Sequence, residues 1–118
     1  MLIVDKFGNI TLTRKDTAYL KVIPQIQDED TKEFSDYIME EGDRVVFRIQ
    51  RERDVFEKDC QVDLETNSVV LTLVPDDTAS LDIRTYYFEF ELITSREEHF
   101  TFIAKKRITM DKEIEANE

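Results

Sequence analysis

One cysteine, two glycines, two prolines and one histidine are all that this chain of 118 residues holds of the side chains that most often punctuate a fold or carry its chemistry. With Cys60 alone, no internal disulfide can form, which fits a chain made in a reducing cytoplasm. With glycine so scarce, turns that need a positive φ must use Asn or Asp or accept strain. No apolar run approaches the ~20 residues that cross a bilayer as a helix. The opening "MLIVDKFGNI" gives three apolar residues and then charge, which is not the pattern of a signal peptide. These absences predict a soluble protein that does not use the general secretory route and has no membrane partner.

Basic residues are also in deficit. There are 16 Lys and Arg against 27 Asp and Glu, a net charge of −11. Such a chain repels a phosphate backbone, so no nucleic-acid partner is expected. The plain role of the charge is solubility. The sharper one is binding to a basic protein, or mimicry of DNA, which would concentrate acids on one face. Here the acids are spread along the chain and mixed with Lys and Arg.

What is present is strand alternation. Hydrophobic residues make up 41% of the chain, enough to exclude a disordered one. The length fits one domain that buries roughly two-thirds of its unfolded surface. "LIVDKFGNITLTR" reads as strand, Gly8-Asn9 turn, strand. "TAYLKVIP" places Ala18, Leu20 and Val22 on one face, and Pro24 marks an end or an edge. "RVVFRIQR" points Val45, Phe47 and Ile49 inward and Arg44, Arg48 and Gln50 outward. "DVFEKDCQVDLETN" reads as one weaker, edge-like strand with Phe56 against the core. "VVLTLV" reads as a central strand after the turn at Thr66-Asn67-Ser68. "HFTFIAKKRITM" reads as one long strand, or as two broken near Ala104-Lys105. Residues 27–43 stay open. Phe34, Tyr37 and Ile38 have the spacing of a helical turn on the core, but a short strand or a loop fits as well. Residues 1–110 are expected to form the sandwich, and 111–118 an acidic tail or truncated linker.

The join "DDTASLDIRTYYFEFEL" carries the most information. Tyr86, Phe88, Phe90 and Leu92 fall on one apolar face, with Tyr87, Glu89, Glu91 and Ile93 opposite. Before them, Asp76 as an N-cap to the amides of Thr78 and Ala79 predicts one helical turn, with Leu81 dropping into the open end of the sandwich. In immunoglobulin-like sandwiches a turn of this kind joins strands on opposite sheets, and a core-facing Tyr, here Tyr86, opens the next strand. The predicted fold is all-β, an immunoglobulin-like antiparallel β-sandwich of about seven to nine strands.

No catalytic constellation is visible. His99 is alone, so a triad or a zinc site finds no second histidine, and beside Glu97 and Glu98 it reads as a solvent-facing residue. Cys60 has no His or Lys motif and reads as a buried or half-buried structural thiol. The acid groups Asp28-Glu29-Asp30, Glu40-Glu41 and Asp76-Asp77 lack calcium-loop spacing, and acids this frequent pair by chance. Gly8 and Gly42 are isolated, so no phosphate loop is formed. Aromatics at period two read as core. No catalytic residue, metal ligand or cofactor is expected, and no partner-binding residue is assigned.

Three segments resemble a known family. "GNITLTRKDTAYLKV", "EEGDRVVFRIQR" and "LVPDDTASLDIRTYYFEFEL" are similar, in order and spacing, to the N-terminal immunoglobulin-like domain of the phage baseplate upper protein family. The family usually has Gly where this chain has Lys15, and Gly where it has Arg84. If those glycines hold a positive φ, these positions are strained here or their turns differ. The resemblance implies a non-enzymatic virion component of a phage or prophage tail baseplate, made in the bacterial host cytoplasm. Its partners would be other tail or baseplate proteins, or further copies in a homo-oligomer. The alternatives are a free acidic inhibitor or mimic that binds a basic host protein, and a carbohydrate-binding or hydrolytic sandwich with an aromatic platform or paired carboxylates.

Overall fold

The structure is a computed structural model that describes residues 1–112. Of the segment expected to be a tail, residues 113–118 lie outside the described residues. Among the described residues there are eleven strands and one short helix. They are β1 (Leu2–Val4), β2 (Ile10–Thr13), β3 (Ala18–Val22), β4 (Gln25–Gln27), β5 (Phe34–Asp36), β6 (Arg44–Gln50), β7 (Val55–Asp59), β8 (Gln61–Asp63), β9 (Ser68–Leu73), α1 (Pro75–Thr78), β10 (Thr85–Ile93) and β11 (His99–Asp111).

These strands form an all-β sandwich. The larger sheet has the order β1-β2-β11-β10-β6-β7, the smaller β3-β9-β8, and β4 and β5 make a separate hairpin. The core lies between the two sheets. Val45, Phe47 and Ile49 of β6 and Tyr86, Phe88, Phe90 and Leu92 of β10 meet Val69, Leu71 and Leu73 of β9. The period-two faces read in the sequence are therefore the buried faces. Phe47 and Phe90 are fully buried, with ring centroids 5.0 Å apart, inside the range of favourable aromatic pairs. Val46 points the other way yet is also buried. It sits between Asp59 and Glu91 in the register.

Two features depart from the expected pattern. One pairing is parallel: Ile10–Thr13 of β2 runs alongside Ile108–Asp111 of β11. β2 must deliver the chain to β3 in the opposite sheet at the end where β11 finishes, so the two run the same way. The stretch around Cys60 is two strands rather than one. β7 pairs with β6 and β8 pairs with β9, so the chain changes sheets at the buried Cys60, whose N–H donates to the Val45 carbonyl at 2.8 Å.

Residues 27–43 are not helical. They form the exposed β4–β5 hairpin and a loop that returns to β6. Phe34 and Ile38 are 65% and 68% exposed, so they do not face the core. The hairpin turn is organised by Asp28, whose Oδ1 accepts from the N–H groups of Asp30 and Thr31 at 2.8 and 2.9 Å. That local bonding competes with a helix.

The α1 corner is a helical turn, but its N-cap is Val74 rather than Asp76. Pro75 occupies the first helical position, where its missing N–H costs nothing. The carboxylate that closes the turn belongs to Asp77, which accepts from the Val74 N–H at 2.8 Å and from Lys58 Nζ at 2.8 Å. Leu81 is buried as expected. The Tyr86 hydroxyl accepts from the Asp82 N–H at 2.9 Å, which ties the start of β10 to the corner before it.

Scarce glycine has the consequence foreseen. Lys15, Lys32, Asn67, Glu97 and Lys105 all have positive φ, and only one of these is an Asn. Lys15, at φ 67, stands where the resembled family usually has Gly. Arg84 is not in the left-handed region, and its guanidinium lies 4.6 Å from the centre of the Tyr86 ring.

Candidate functional site

The polar side chains singled out in the sequence do not converge. His99 is half exposed, and its partner is Glu91, at 3.2 Å from Nδ1, rather than the adjacent Glu97 or Glu98. Glu91 also accepts from Arg48 Nη1 at 3.1 Å, and Arg48 reaches Glu57 and Glu89 at 3.0 and 3.4 Å. Burial pushes the Glu91 carboxyl up, but the hydrogen bonds from His99 and Arg48 and their charges outweigh it and hold the group below the usual carboxylate range. A general acid needs the opposite shift. This cluster is a cross-strand ion-pair network on the outer face of the larger sheet. Arg44 pairs with Asp59 on the same two strands, β6 and β7, and Arg51 pairs with Asp54 in the turn between them. The acids of this face are thus interleaved with arginines and do not form a uniformly acidic surface.

Cys60 is buried, and burial, with Asp59 nearby, pushes its thiol up to about 12. It is a structural residue at the sheet crossing. Asp28 and Asp77 are engaged in their own turns. Among the described residues no group of three or more His, Cys, Asp or Glu side chains is placed to hold a metal ion, and no helix is long and apolar enough to cross a membrane.

A buried carboxylate that the sequence did not single out is Asp43. It accepts from the Tyr37 hydroxyl at 2.7 Å, the Glu40 N–H at 2.8 Å and the Ser95 N–H at 2.8 Å. Burial raises its carboxyl, and these three bonds overcome that and hold it below its ordinary value. Asp43 joins the loop before β6 to the β10–β11 turn. Gly42 beside it has φ +91, and a Cβ there would lie 3.1 Å from the Ser95 Cβ.

Two openings of the molecule have apolar walls. At the β4–β5 end, a groove of about 540 Å³ is lined by Ile26, Phe34, Phe100 and Phe102. Phe100, at 36% exposed, departs from the expectation that the alternating aromatics are all core. The two glutamines on this rim are engaged within the hairpin, Gln25 with Asp36 and Gln27 with the Lys32 carbonyl, each at 3.0 Å.

The second opening runs along the seam of the sandwich. Among the described residues, β3 pairs with β9 and with no other strand. Opposite it, β11 is paired with β2 only over Ile108–Asp111, and the N–H of Arg107 is taken by Asn9 Oδ1 at 3.0 Å. Between these edges lies a cleft of about 360 Å³ whose walls are Leu20, Val22 and Ile103 and whose floor is Phe88 and Phe90. Among the described residues its charged lining side chains are Lys21 and Lys106, and no acid lines it. No sequence feature announced the cleft as a site. Lys21 in "YLKV" is the one available signal, because lysine on an exposed strand marks an edge.

No family model matches the sequence, and no curated protein matches it.

Proposed function

We propose that this protein is an immunoglobulin-like docking domain of a phage or prophage tail baseplate, working by protein–protein contacts and without chemistry of its own. The observation that carries the docking role is the open seam: a three-stranded sheet faces a six-stranded one and ends at an edge, β3, that is bare among the described residues and lies above an apolar cleft. An unpaired edge beside exposed core residues is the usual receptor for a partner's strand or loop.

Three details support the immunoglobulin-like reading. The smaller sheet β3-β9-β8 faces a larger one in which β6, β10 and β11 are neighbours, as in the two sheets of that fold. The short helix α1 joins β9 of one sheet to β10 of the other. Tyr86 at the start of β10 bonds back to the Asp82 backbone, in the manner of a tyrosine corner. Of the two positions where the baseplate upper protein family usually has Gly, Lys15 holds the left-handed backbone that glycine adopts readily, and Arg84 does not.

The test is affinity capture from lysates of an induced lysogenic host, at low and at high salt, read by mass spectrometry. Recovery of tail or baseplate proteins is the expected result, with the protein itself found in purified virions. Salt-sensitive capture of a basic host protein, with no virion protein recovered, overturns the reading in favour of an acidic inhibitor.

A further inference from the structure

We infer that the bare edge of β3 accepts one extended strand from a partner protein, with apolar residues at alternate positions and acidic residues beside them. This rests on the docking role proposed above and names the chemistry of its partner. A strand laid along Ala18–Val22 would add a fourth member to the smaller sheet and place every second side chain over the cleft. The inward residues of β3 are graded as that geometry requires. Ala18 and Val22 are buried, while Leu20 between them is only partly covered, with Phe88, Phe90 and Ile103 lining the same opening. Lys21 and Lys106 frame it with positive charge, although the chain as a whole carries −11. At 0.15 M salt the Debye length is about 8 Å, so a bound strand senses the charges that line the cleft, Lys21 and Lys106, most directly. Acidic flanks match them, and an apolar alternation matches the cleft.

The experiment is selection from a library of random ten-residue peptides on the intact protein at 0.15 M salt, followed by hydrogen exchange of the complex. Enriched peptides are expected to alternate apolar residues, to carry Asp or Glu, and to protect the amides of Ala18–Val22. The double variant Lys21→Glu, Lys106→Glu, with unchanged circular dichroism, should bind them at least about tenfold more weakly, and Leu20→Glu should lose them. Enrichment of peptides without alternation, protection of β7, β8 or β1 in place of β3, a β3-mediated dimer of the free protein, or no enrichment at all overturns the inference. If virion proteins captured from lysate bind Leu20→Glu as well as the unaltered protein, the docking role stands and the seam is not its site.

Discussion

The backbone N–H of Lys15 donates to the hydroxyl of the buried Thr78 at 2.7 Å, which ties the crossover from β2 to β3 onto the α1 corner 63 residues later. Lys15 makes this bond from a left-handed backbone, at φ 67. For a residue with a Cβ that conformation costs about 1–2 kcal/mol. Lys15→Gly should therefore stabilise the protein by about 0.5–1 kcal/mol, less than the full strain because glycine also gains freedom in the unfolded chain. Thr78→Val removes the acceptor and should cost about 1–3 kcal/mol. Urea melts of both variants check this, and a destabilised Lys15→Gly would show that the strain reading is wrong.

The helical corner gives a test that separates neighbouring acids. Asp77 holds the Val74 N–H and the Lys58 ammonium, while Asp76 is exposed. Asp77→Ala should cost about 1 kcal/mol, in the range of a lost cap. Asp76→Ala should change stability by less than about 0.5 kcal/mol, as surface substitutions do. Equal losses at the two positions in denaturant melts would contradict the assignment.

How far the fold can be read from the sequence depends on which residues bury a face. Where one face of a strand is buried and the other wet, alternation is forced, and Phe47, Phe88, Phe90 and Leu92 lie where their spacing puts them. The change of sheets at Cys60 left no trace because Phe56, Lys58, Cys60 and Val62 keep the two-residue period straight through it. The β4–β5 hairpin is too short and exposed to impose any period, so the spacing of Phe34, Tyr37 and Ile38 could not tell a helical turn on the core from a short strand or a loop. The cap was misplaced because Asp is a strong N-cap former, yet Pro75 at the first helical position was a legible counter-signal. The cleft was illegible for a different reason: it arises from which strand edges go unpaired, and alternation along one strand says nothing of its neighbours.

Core packing supplies a third prediction. Phe90 is fully buried and touches the rings of Phe47, Phe88 and Phe102, with centroids 5.0, 5.9 and 6.0 Å away. Phe90→Ala should cost about 3–5 kcal/mol, a large share of the stability of a small domain. Phe34→Ala, on the exposed hairpin, should cost less than about 0.5 kcal/mol. A loss below about 1 kcal/mol at Phe90 in denaturant melts would put the core elsewhere.

The Tyr37–Asp43 pair predicts stability lost at both ends of the pH scale. Burial, together with the hydrogen bond to Asp43 and the acids around it, pushes the Tyr37 phenol up to about 12. The folded state then holds the phenol proton more tightly than the unfolded chain. The contribution is full below about pH 10, the ordinary value for tyrosine, and disappears as pH climbs towards about 12. Asp43 is depressed in the folded state, so the sign reverses. Its contribution is full above about pH 4, the ordinary value for aspartate, and disappears as pH falls through the folded value. Tyr37→Phe should therefore flatten the alkaline limb of a stability–pH curve. It should also soften the acid limb, because Asp43 keeps its two amide donors, Glu40 and Ser95, but loses the phenol. Asp43→Asn should remove its share of the acid limb and lower stability at neutral pH, since an amide cannot match three donors as a carboxylate does. Urea melts across the pH range decide it: curves for Tyr37→Phe that run parallel to those of the unaltered protein at both ends would mean that the pair carries no pH dependence.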